Sequence, residues 1–396
     1  MNPVITVGVY LTAVVLAFTQ AETWFAGIGR SRFIRAAGKI LPAAVLLALL
    51  PVAGAFLPDG NIKYNLQAAG NIWLGYFVYM FMVMLAVEII LLLVMIVKRR
   101  NRKIRPAFLF FPVVIIPAVI TVYGMIHAQD IHINHYSVTI DKEAGDLDEM
   151  KIVLIGDLHI SVNSHPSTIR RMVEKINAEE PDLVVVSGDI FTSSYGGMRT
   201  PEVYAGILRD IRAEEGVYAV YGNHDVEETL FGGFPVTPIS MAFRTKEMEQ
   251  FFTDAGFHVL YDECVTVGDG NILLAGRADG EKAGDGTAAR LSPSELLEEA
   301  DRDMPCIVLQ HEPVEFQALK EAGADLALCG HTHNGQIFPG NLMVPFFNEN
   351  AYGYKKVSGL DTIVTSGIGY YGPPMRVGTD AEIVVLHLRL GGQVLT

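Results

Sequence analysis

Seven residues suited to metal binding follow short apolar runs in the C-terminal two thirds of this 396-residue chain. They comprise two carboxylates, one amide and four imidazoles: Asp157, His159, Asp189, Asn223, His311, His331 and His333. Imidazoles mixed with carboxylate and amide oxygens suit borderline metals such as Mn, Fe, Zn or Co, whereas an all-oxygen set would suit Mg or Ca. None of the three cysteines belongs to these motifs, so a thiolate zinc site is not expected.

This mixture of ligand types is suited to chemistry at phosphorus. Two divalent ions about 3.5 to 4 Å apart can stabilise both the attacking and the leaving oxygen of an in-line displacement. Such a pair of ions needs a carboxylate between them. The residue types therefore favour a two-metal site that hydrolyses a phosphoester.

Five apolar, β-branched runs precede the candidate ligands, and such runs are typical of buried strands. They cover residues 152–155, 183–186, 217–221, 307–309 and 326–328. Open α/β sheets place their sites beyond the carboxyl ends of the strands. We therefore expect five strand ends to bring the candidate ligands to one place.

From about residue 151 to residue 388 the chain resembles the calcineurin-like metallophosphoesterases, and among them the membrane-associated bacterial branch typified by YkuE-like phosphodiesterases. The motifs that carry this resemblance, in order, are Gly156-Asp157-Leu158-His159, Gly188-Asp189, Gly222-Asn223-His224-Asp225, Gln310-His311 and Gly330-His331-Thr332-His333. The resemblance implies an α/β fold, in which a two-layered β-sheet sandwich is flanked by helices. A four-helix transmembrane region, predicted below from hydropathy, would precede it.

The resemblance also implies how two divalent metal ions would be held, with Asp189 as the bridge and a metal-bridging hydroxide as the nucleophile. One metal would bind Asp157, His159, Asp189 and His333. The other would bind Asp189, Asn223, His311 and His331. The identity of the metals, manganese included, is left open by the sequence.

Two catalytic residues are implied in the same way. His224 would donate a proton to the leaving group or steady the phosphoryl oxygens, and Asp225 would orient it. The bacterial branch often has Gly where Asn334 stands, and Arg where Thr365 or Ser366 would align. These departures leave the contacts to the substrate phosphate open.

The first third of the chain has a different character. Four apolar stretches, at residues 4–19, 34–57, 72–97 and 107–128, are each close to the ~20 residues that cross a hydrocarbon core. We therefore predict a transmembrane domain of four helices over residues 1–128. A connection with a probable first strand at 136–140 would span residues 129–150, and the catalytic domain would span residues 151–396.

Basic residues predict the orientation of this domain, because short cytoplasmic loops are enriched in Lys and Arg. The loop after the first apolar stretch has four, the loop after the third has six, and the loop after the second has only Lys63. The first and third loops are therefore expected in the cytoplasm. After four crossings, the catalytic domain is expected outside it, in a multi-pass protein of the cell membrane.

Charge and apolar loops indicate the kind of partner. Residues 1–128 hold 11 Lys or Arg and 3 Asp or Glu, a net of +8, and the rest hold 19 and 41, a net of −22. Such an acidic domain is not expected to bind nucleic acid, whereas bound metals would attract a phosphate substrate.

Apolar loops at 230–238 and 343–347 lie near the ligands in sequence. If they face the lipid bilayer, a lipid-linked or cell-envelope phosphoester becomes the natural substrate.

Two alternatives remain open at this point. Glu88 lies inside the third apolar stretch, and carboxylates within a membrane are usually functional, so the chain can also be read as a transporter or sensor with a metal-binding outer domain. A catalytically inactive scaffold is the other alternative, but such proteins usually lose ligands and none is missing here. The sequence does not indicate an oligomeric state.

Overall fold

A computed structural model describes residues 3–25, 47–50, 54, 57–58, 60–98, 110–228, 230–231, 234–235, 241–284 and 290–391. The chain divides into two compact units. The helical unit extends to Ile126 and also includes residues 229–236 and 372–375. The catalytic unit comprises the remainder from His127 onwards.

The helical unit contains three helices whose bounds are described: α1 (Pro3–Phe25), α2 (Asn61–Lys98) and α3 (Phe110–His127). Among the described residues, α2 alone is long and apolar enough to cross a membrane, while α1 and α3 contain shorter apolar stretches at 8–20 and 111–127. Most of the second predicted span, 34–57, lies outside the described residues. The four-helix transmembrane region therefore stays a prediction.

Helix α2 begins eleven residues before the apolar stretch predicted at 72–97. Its added N-terminal segment has no Pro and contains Leu66, Gln67, Ala68 and Ala69, which all favour helix. Hydropathy marks only the apolar part of a helix, so the sequence pattern missed this polar extension. Lys63, which was expected in a loop, lies in the first turn of α2.

Two six-stranded sheets form the centre of the catalytic unit. In spatial order, the first contains β1 (Ile131–Ile140), β14 (Ala381–Leu390), β2 (Glu149–Ile155), β3 (Leu183–Val186), β4 (Val217–Ala219) and β7 (His258–Val259). The second contains β12 (Gly353–Val357), β13 (Leu360–Val364), β11 (Leu326–Cys329), β10 (Cys306–Leu309), β9 (Ile272–Gly276) and β8 (Glu263–Val267). A short hairpin of β5 (Leu230–Phe231) and β6 (Phe234–Pro235) belongs to the helical unit.

Apolar side chains bind these sheets into layers. Between the sheets lie residues from both, including Leu154, Val185, Ile307 and Leu328. The outer face of the first sheet packs on α4 (Pro166–Ala178), α5 (Pro201–Leu208) and α6 (Lys246–Asp254). The outer face of the second sheet packs on α7 (Pro293–Leu296) and α8 (Phe316–Ala322), and the short helix α9 (Gly340–Met343) lies after β11 in the chain. The predicted two-layered sandwich with flanking helices is confirmed.

Strand β1 is longer than the strand expected at 136–140. It pairs in parallel with β14 along ten residues, from Ile131 opposite Ala381 to Ile140 opposite Leu390. Only three residues separate the end of α3 from the start of β1. The segment expected as a polar connection is therefore largely part of the first sheet.

The strands that precede the candidate ligands lie side by side. In the first sheet β2, β3 and β4 are parallel neighbours, and in the second sheet β10 and β11 are parallel neighbours. Parallel neighbours end at the same edge of a sheet, so the residues that follow them are brought together. This is the arrangement that the sequence predicted.

Arg376 fixes the loop between β13 and β14. Its side chain is fully buried. The guanidinium group donates hydrogen bonds of 2.6 to 3.1 Å to the carbonyl oxygens of Ser366, Gly367, Gly369 and Asp380. Burial lowers the pKa of Arg376 to about 10, so the group remains charged at neutral pH.

The loop that Arg376 holds supports the turn that carries Asp157, the first of the predicted ligands. The backbone N–H groups of Ile368 and Gly369 donate to the carbonyl oxygens of Gly156 and Asp157 at 3.1 and 2.8 Å. The planar, forked geometry of Arg allows contact with several carbonyls at once, and Lys lacks that geometry. Arg376 therefore has a structural role that Lys cannot replace.

We predict that Arg376→Lys lowers the free energy of unfolding by about 2 to 3 kcal/mol, because buried carbonyl groups lose charge-assisted hydrogen bonds. Urea unfolding of the full-length protein in detergent, followed by circular dichroism, measures this change. Arg389→Lys is the matched control, because Arg389 is exposed on β14. Equal stability of the two variants would contradict the role given to Arg376.

Candidate metal centre

All seven predicted ligands meet at the carboxyl edge of the two sheets, and the carboxylate of Asp189 lies in the middle. Its Oδ2 atom is 3.4 Å from Nε2 of His159 and 3.1 Å from Nε2 of His311. Its Oδ1 atom accepts a hydrogen bond of 2.8 Å from the backbone N–H of His224. Asp189 therefore joins the two halves of the ligand set.

The first half contains Asp157, His159 and His333, whose ligand atoms all lie within 4.8 Å of one another. Nε2 of His333 is 3.0 Å from Nε2 of His159 and 3.4 Å from Oδ1 of Asp157. Asp157 and His159 are fully buried and His333 is nearly so. These three residues can hold one metal ion.

The second half contains Asp157, Asp189 and His311, again within 4.8 Å. Oδ1 of Asn223 lies 3.0 Å from Nε2 of His311 and 3.3 Å from Nδ1 of His331. Asn223 is held in this orientation because its amide nitrogen donates to Glu281 at 3.0 Å. Two candidate metal sites thus lie next to each other. Both include the carboxylate of Asp157, and that of Asp189 lies between His159 and His311.

Hydrogen bonds behind the imidazoles turn their lone pairs towards the centre. Nδ1 of His159 donates to the carbonyl oxygen of Phe191 at 3.1 Å, and Nδ1 of His311 donates to that of Ser187 at 2.7 Å. Each Nε2 atom therefore points inward as a potential ligand. Nε2 of His311 lies 3.0 Å from the amide oxygen of Asn223, so either a proton or a metal ion can occupy the space between these two atoms.

The pKa values of the site agree with this geometry. Burial lowers the pKa of His159 to about 3 and that of His331 to about 4, so both rings are neutral at pH 7, as metal ligands must be. Burial also lowers the pKa of His311, but the charge of Asp189 outweighs burial and raises it well above its usual value. Without a metal, a proton thus occupies the position on His311 that a metal would take.

Burial raises the pKa of Asp157 to about 7, although the charge of His311 opposes the rise and that of Asp189 adds to it. Two neighbouring buried carboxylates repel each other unless cations lie between them. The donor set therefore fits two divalent metal ions.

Five of the seven ligands have a left-handed backbone: Asp157, His159, Asp189, His331 and His333, with φ between 42° and 74°. This conformation costs residues other than Gly about 1 to 3 kcal/mol each and is concentrated at functional sites. The sharp turns at the strand ends aim each side chain at the centre. The ligand loops thus store strain that the surrounding sheets must offset.

The glycines that precede the ligands make room for them. A Cβ atom on Gly222 would lie 2.2 Å from Oδ1 of Asp189, and one on Gly330 would lie 2.5 Å from Oδ2 of Asp157. No side chain fits at these distances. The Gly in the Gly-Asn-His-Asp and Gly-His-Thr-His motifs is therefore required by close packing against the carboxylates.

Asp225 fixes backbone around the site. Its buried carboxylate accepts hydrogen bonds of 2.8 to 3.0 Å from the N–H groups of Asp189, Phe191 and Gly222. The ring of His224 instead bonds through Nδ1 to Oγ of Ser193 at 2.7 Å. The oxygens of Asp225 thus bond to the strand-end loops, and its predicted role as the orienting partner of the His224 ring stays a prediction.

Several residues that the sequence motifs do not include lie at or next to the predicted site: Ser193, Glu228, Glu281, Lys282 and Tyr371. Two of them, Glu281 and Lys282, could have been found from the sequence. They follow β9 closely, and β9 ends at the same edge of the sheet as the strands that precede the ligands. Tyr371 lies in the long loop before β14, and its ring stacks on that of His224 with centroids 4.5 Å apart.

Comparison with known proteins agrees with this geometry. Residues 150–335 match the family model described as calcineurin-like phosphoesterase. An uncharacterized metallophosphoesterase of Helicobacter pylori is 31% identical over 61% of this chain and 60% of its own length. A bovine (Bos taurus) transmembrane protein with metallophosphoesterase domain is 30% identical over 74% of this chain and 64% of its own length.

The uncharacterized metallophosphoesterase YkuE of Bacillus subtilis is 28% identical over 61% of this chain and 80% of its own length. The chain thus spans about 60% of the length of the Helicobacter and bovine relatives. The matched family region contains all seven candidate ligands as well as His224 and Asp225. Residues 150–335 of this chain are therefore a metallophosphoesterase domain of the calcineurin-like family.

Proposed function

We propose that this protein hydrolyses a phosphoester with two divalent metal ions. The observation that carries the proposal is the position of Asp189, whose one carboxylate faces both halves of a buried ligand set. When bound, the metals supply positive charge to the phosphoryl group and lower the pKa of the attacking water. The mixed nitrogen and oxygen ligands suit Mn, Fe, Zn or Co.

Each residue has an assigned task in this proposal. Asp157, His159, Asp189 and His333 would hold the first metal. Asp189, Asn223, His311 and His331 would hold the second. His224 gives a proton to the leaving oxygen, since its ring lies beside that of His159 with centroids 5.4 Å apart and is not needed as a ligand. Asp225 holds the loop of Asp189 and the loop of Asn223 next to each other, because its carboxylate accepts hydrogen bonds from backbone N–H groups of both.

Asp189→Asn is predicted to remove most of the phosphodiesterase activity and to weaken metal binding at least roughly tenfold, because even groups behind a ligand contribute that much. Metal content is measured by mass spectrometry and turnover with a soluble aryl phosphodiester on the same purified protein. Asp210→Asn, an exposed carboxylate, is the control. Full activity with two tightly held metals in Asp189→Asn would contradict the bridging role.

We further propose that the helical unit anchors the protein in the cell membrane. Apolar side chains on α2 point outward, with Ile90 58% and Val97 80% exposed. Such surface is stable in lipid and costly in water. The bovine relative, which is named a transmembrane protein, supports this proposal.

Glu88 has a partner inside the helical unit, because its carboxylate accepts a hydrogen bond from the side chain of Gln20 on α1. This contact joins α1 to α2. It gives the intramembrane carboxylate a structural task, so an anchor is favoured over a transporter.

The orientation proposed from the basic loops places the catalytic unit outside the cytoplasm. A C-terminal alkaline phosphatase fusion is therefore predicted to be active, and a C-terminal fluorescent protein that matures only in the cytoplasm should stay dark. A membrane-impermeant protease should remove the catalytic unit from intact spheroplasts. A bright fluorescent fusion with protease resistance would place the site in the cytoplasm.

We also propose that the substrate is linked to a lipid or to a cell-envelope precursor. A short apolar patch, consisting of residues 338–347, begins five residues after His333. Its most exposed members are Phe346, at 81%, and Phe347, at 79%. Exposed apolar surface of this kind often contacts a ligand or a membrane.

Phe346→Ser combined with Phe347→Ser is predicted to lower kcat/KM for a lipid-linked phosphodiester by about tenfold or more, since burying one such ring contributes about 1.5 to 3 kcal/mol. Hydrolysis of a soluble phosphodiester should be unchanged. The assays use full-length protein in lipid nanodiscs, and Val203→Ser, on the exposed face of α5, is the control. An equal effect on both substrates would favour a soluble envelope phosphoester.

A further inference from the structure

A chain of hydrogen bonds leads away from the ring of His224 into the interior of the catalytic unit. Nδ1 of His224 lies 2.7 Å from Oγ of Ser193, and that hydroxyl lies 2.8 Å from Oε1 of Glu228. Nζ of Lys282 donates to the same carboxylate oxygen at 2.7 Å. Ser193, Glu228 and Lys282 are all buried, with at most 6% of each exposed.

The chemistry of these groups sets the direction of each hydrogen bond. Burial raises the pKa of Glu228, but the neighbouring side chains of His224, Lys282 and Ser193 outweigh burial and lower the pKa below its usual value. The ionised carboxylate can only accept, so the hydroxyl of Ser193 donates to it. The oxygen of Ser193 then accepts from Nδ1–H of His224. Nε2 is left as the ring nitrogen that can exchange a proton with another molecule.

Tyr371 restrains the same ring from another side. Its ring lies nearly parallel to that of His224, at an interplanar angle of 28°. The side chain of Gln336 fixes the backbone of Tyr371, because it accepts from the N–H group at 2.8 Å and donates to the carbonyl oxygen at 3.1 Å. The plane of the imidazole is thus set by stacking, and its rotation within that plane is set by Ser193.

We propose that Ser193, Glu228 and Lys282 are positioning residues that hold Nδ1–H of His224. The imidazolium form of the ring can then give the proton on Nε2 to the leaving oxygen, and the neutral Nδ1–H tautomer remains. The inference rests on the proposed function, in which His224 is the proton donor. It assigns the orienting task to these three residues in place of Asp225. Lys282 balances the charge of Glu228, because a buried carboxylate without a partner would be strongly destabilising.

The chain provides a matched pair of serines for the test. Ser193 bonds to Glu228, and the adjacent Ser194 makes an equivalent bond of 2.7 Å to Glu227, away from the His224 ring. Ser193→Ala should lower kcat roughly 10- to 100-fold. This loss is smaller than that expected when the general acid itself is removed, because the His224 ring is still present. KM and metal content should stay at wild-type values. Ser194→Ala should leave all three quantities unchanged.

The double variant of Ser193→Ala with His224→Ala shows whether Ser193 acts by positioning His224 or by supporting the fold in general. His224→Ala alone should lower kcat about 10²- to 10⁴-fold, and Ser193→Ala should cause no further loss in that background. With soluble aryl phosphodiesters of increasingly acidic leaving groups, the effect of Ser193→Ala should shrink, because such groups need less protonation. Glu228→Gln, which removes the charge but keeps a hydrogen-bond acceptor, should lower kcat severalfold and only when His224 is present.

Wild-type kcat in Ser193→Ala, or the same fold loss in the His224→Ala background, would overturn the positioning role. A failure of the proposed function gives a different result. In that case His224→Ala itself would keep wild-type turnover, or would lose its metals together with its activity.

Discussion

The candidate metal site depends on one buried carboxylate that lies between both halves of the ligand set. Asp189 uses Oδ1 to accept the backbone N–H of His224 and presents Oδ2 to His159 and His311. It therefore fixes the loop that carries His224 and both halves of the candidate ligand set at once. The charges of His311 and His224 outweigh burial and hold its pKa well below the usual value, so the carboxylate remains ionised. A buried negative charge of this kind is stable only next to cations.

The rest of the catalytic unit maintains this arrangement at a cost in local strain. Five ligands sit in left-handed turns, and the rigid sandwich of two six-stranded sheets stabilises the strand ends on which those turns lie. Arg376 pins the loop that reaches Asp157, and the carboxylate of Asp225 holds the turns that carry Asp189 and Gly222. The packing of the two sheets thus offsets the backbone strain of the ligand turns, as is usual for active sites.

The sequence predicted the ligands because the rule behind them is local: a buried parallel strand followed at once by a metal-binding side chain. It could not predict the partners of His224, because Ser193 and Lys282 lie 31 and 58 positions away and meet it only through the folded loops. The backbone N–H groups that the Asp225 carboxylate reaches could not be predicted either, since adjacency in sequence does not show which atoms a carboxylate contacts. In the first third, hydropathy located apolar stretches but not the polar turns with which α2 begins.

The most direct test of the account is the electron paramagnetic resonance spectrum of full-length wild-type protein loaded with Mn²⁺, together with its metal content. Two manganese ions per chain, about 3.5 to 4 Å apart and bridged by a carboxylate, should give a spin-coupled signal that appears only as the second equivalent binds. A single equivalent, or two ions with the spectrum of isolated Mn²⁺, would contradict a shared site around Asp189.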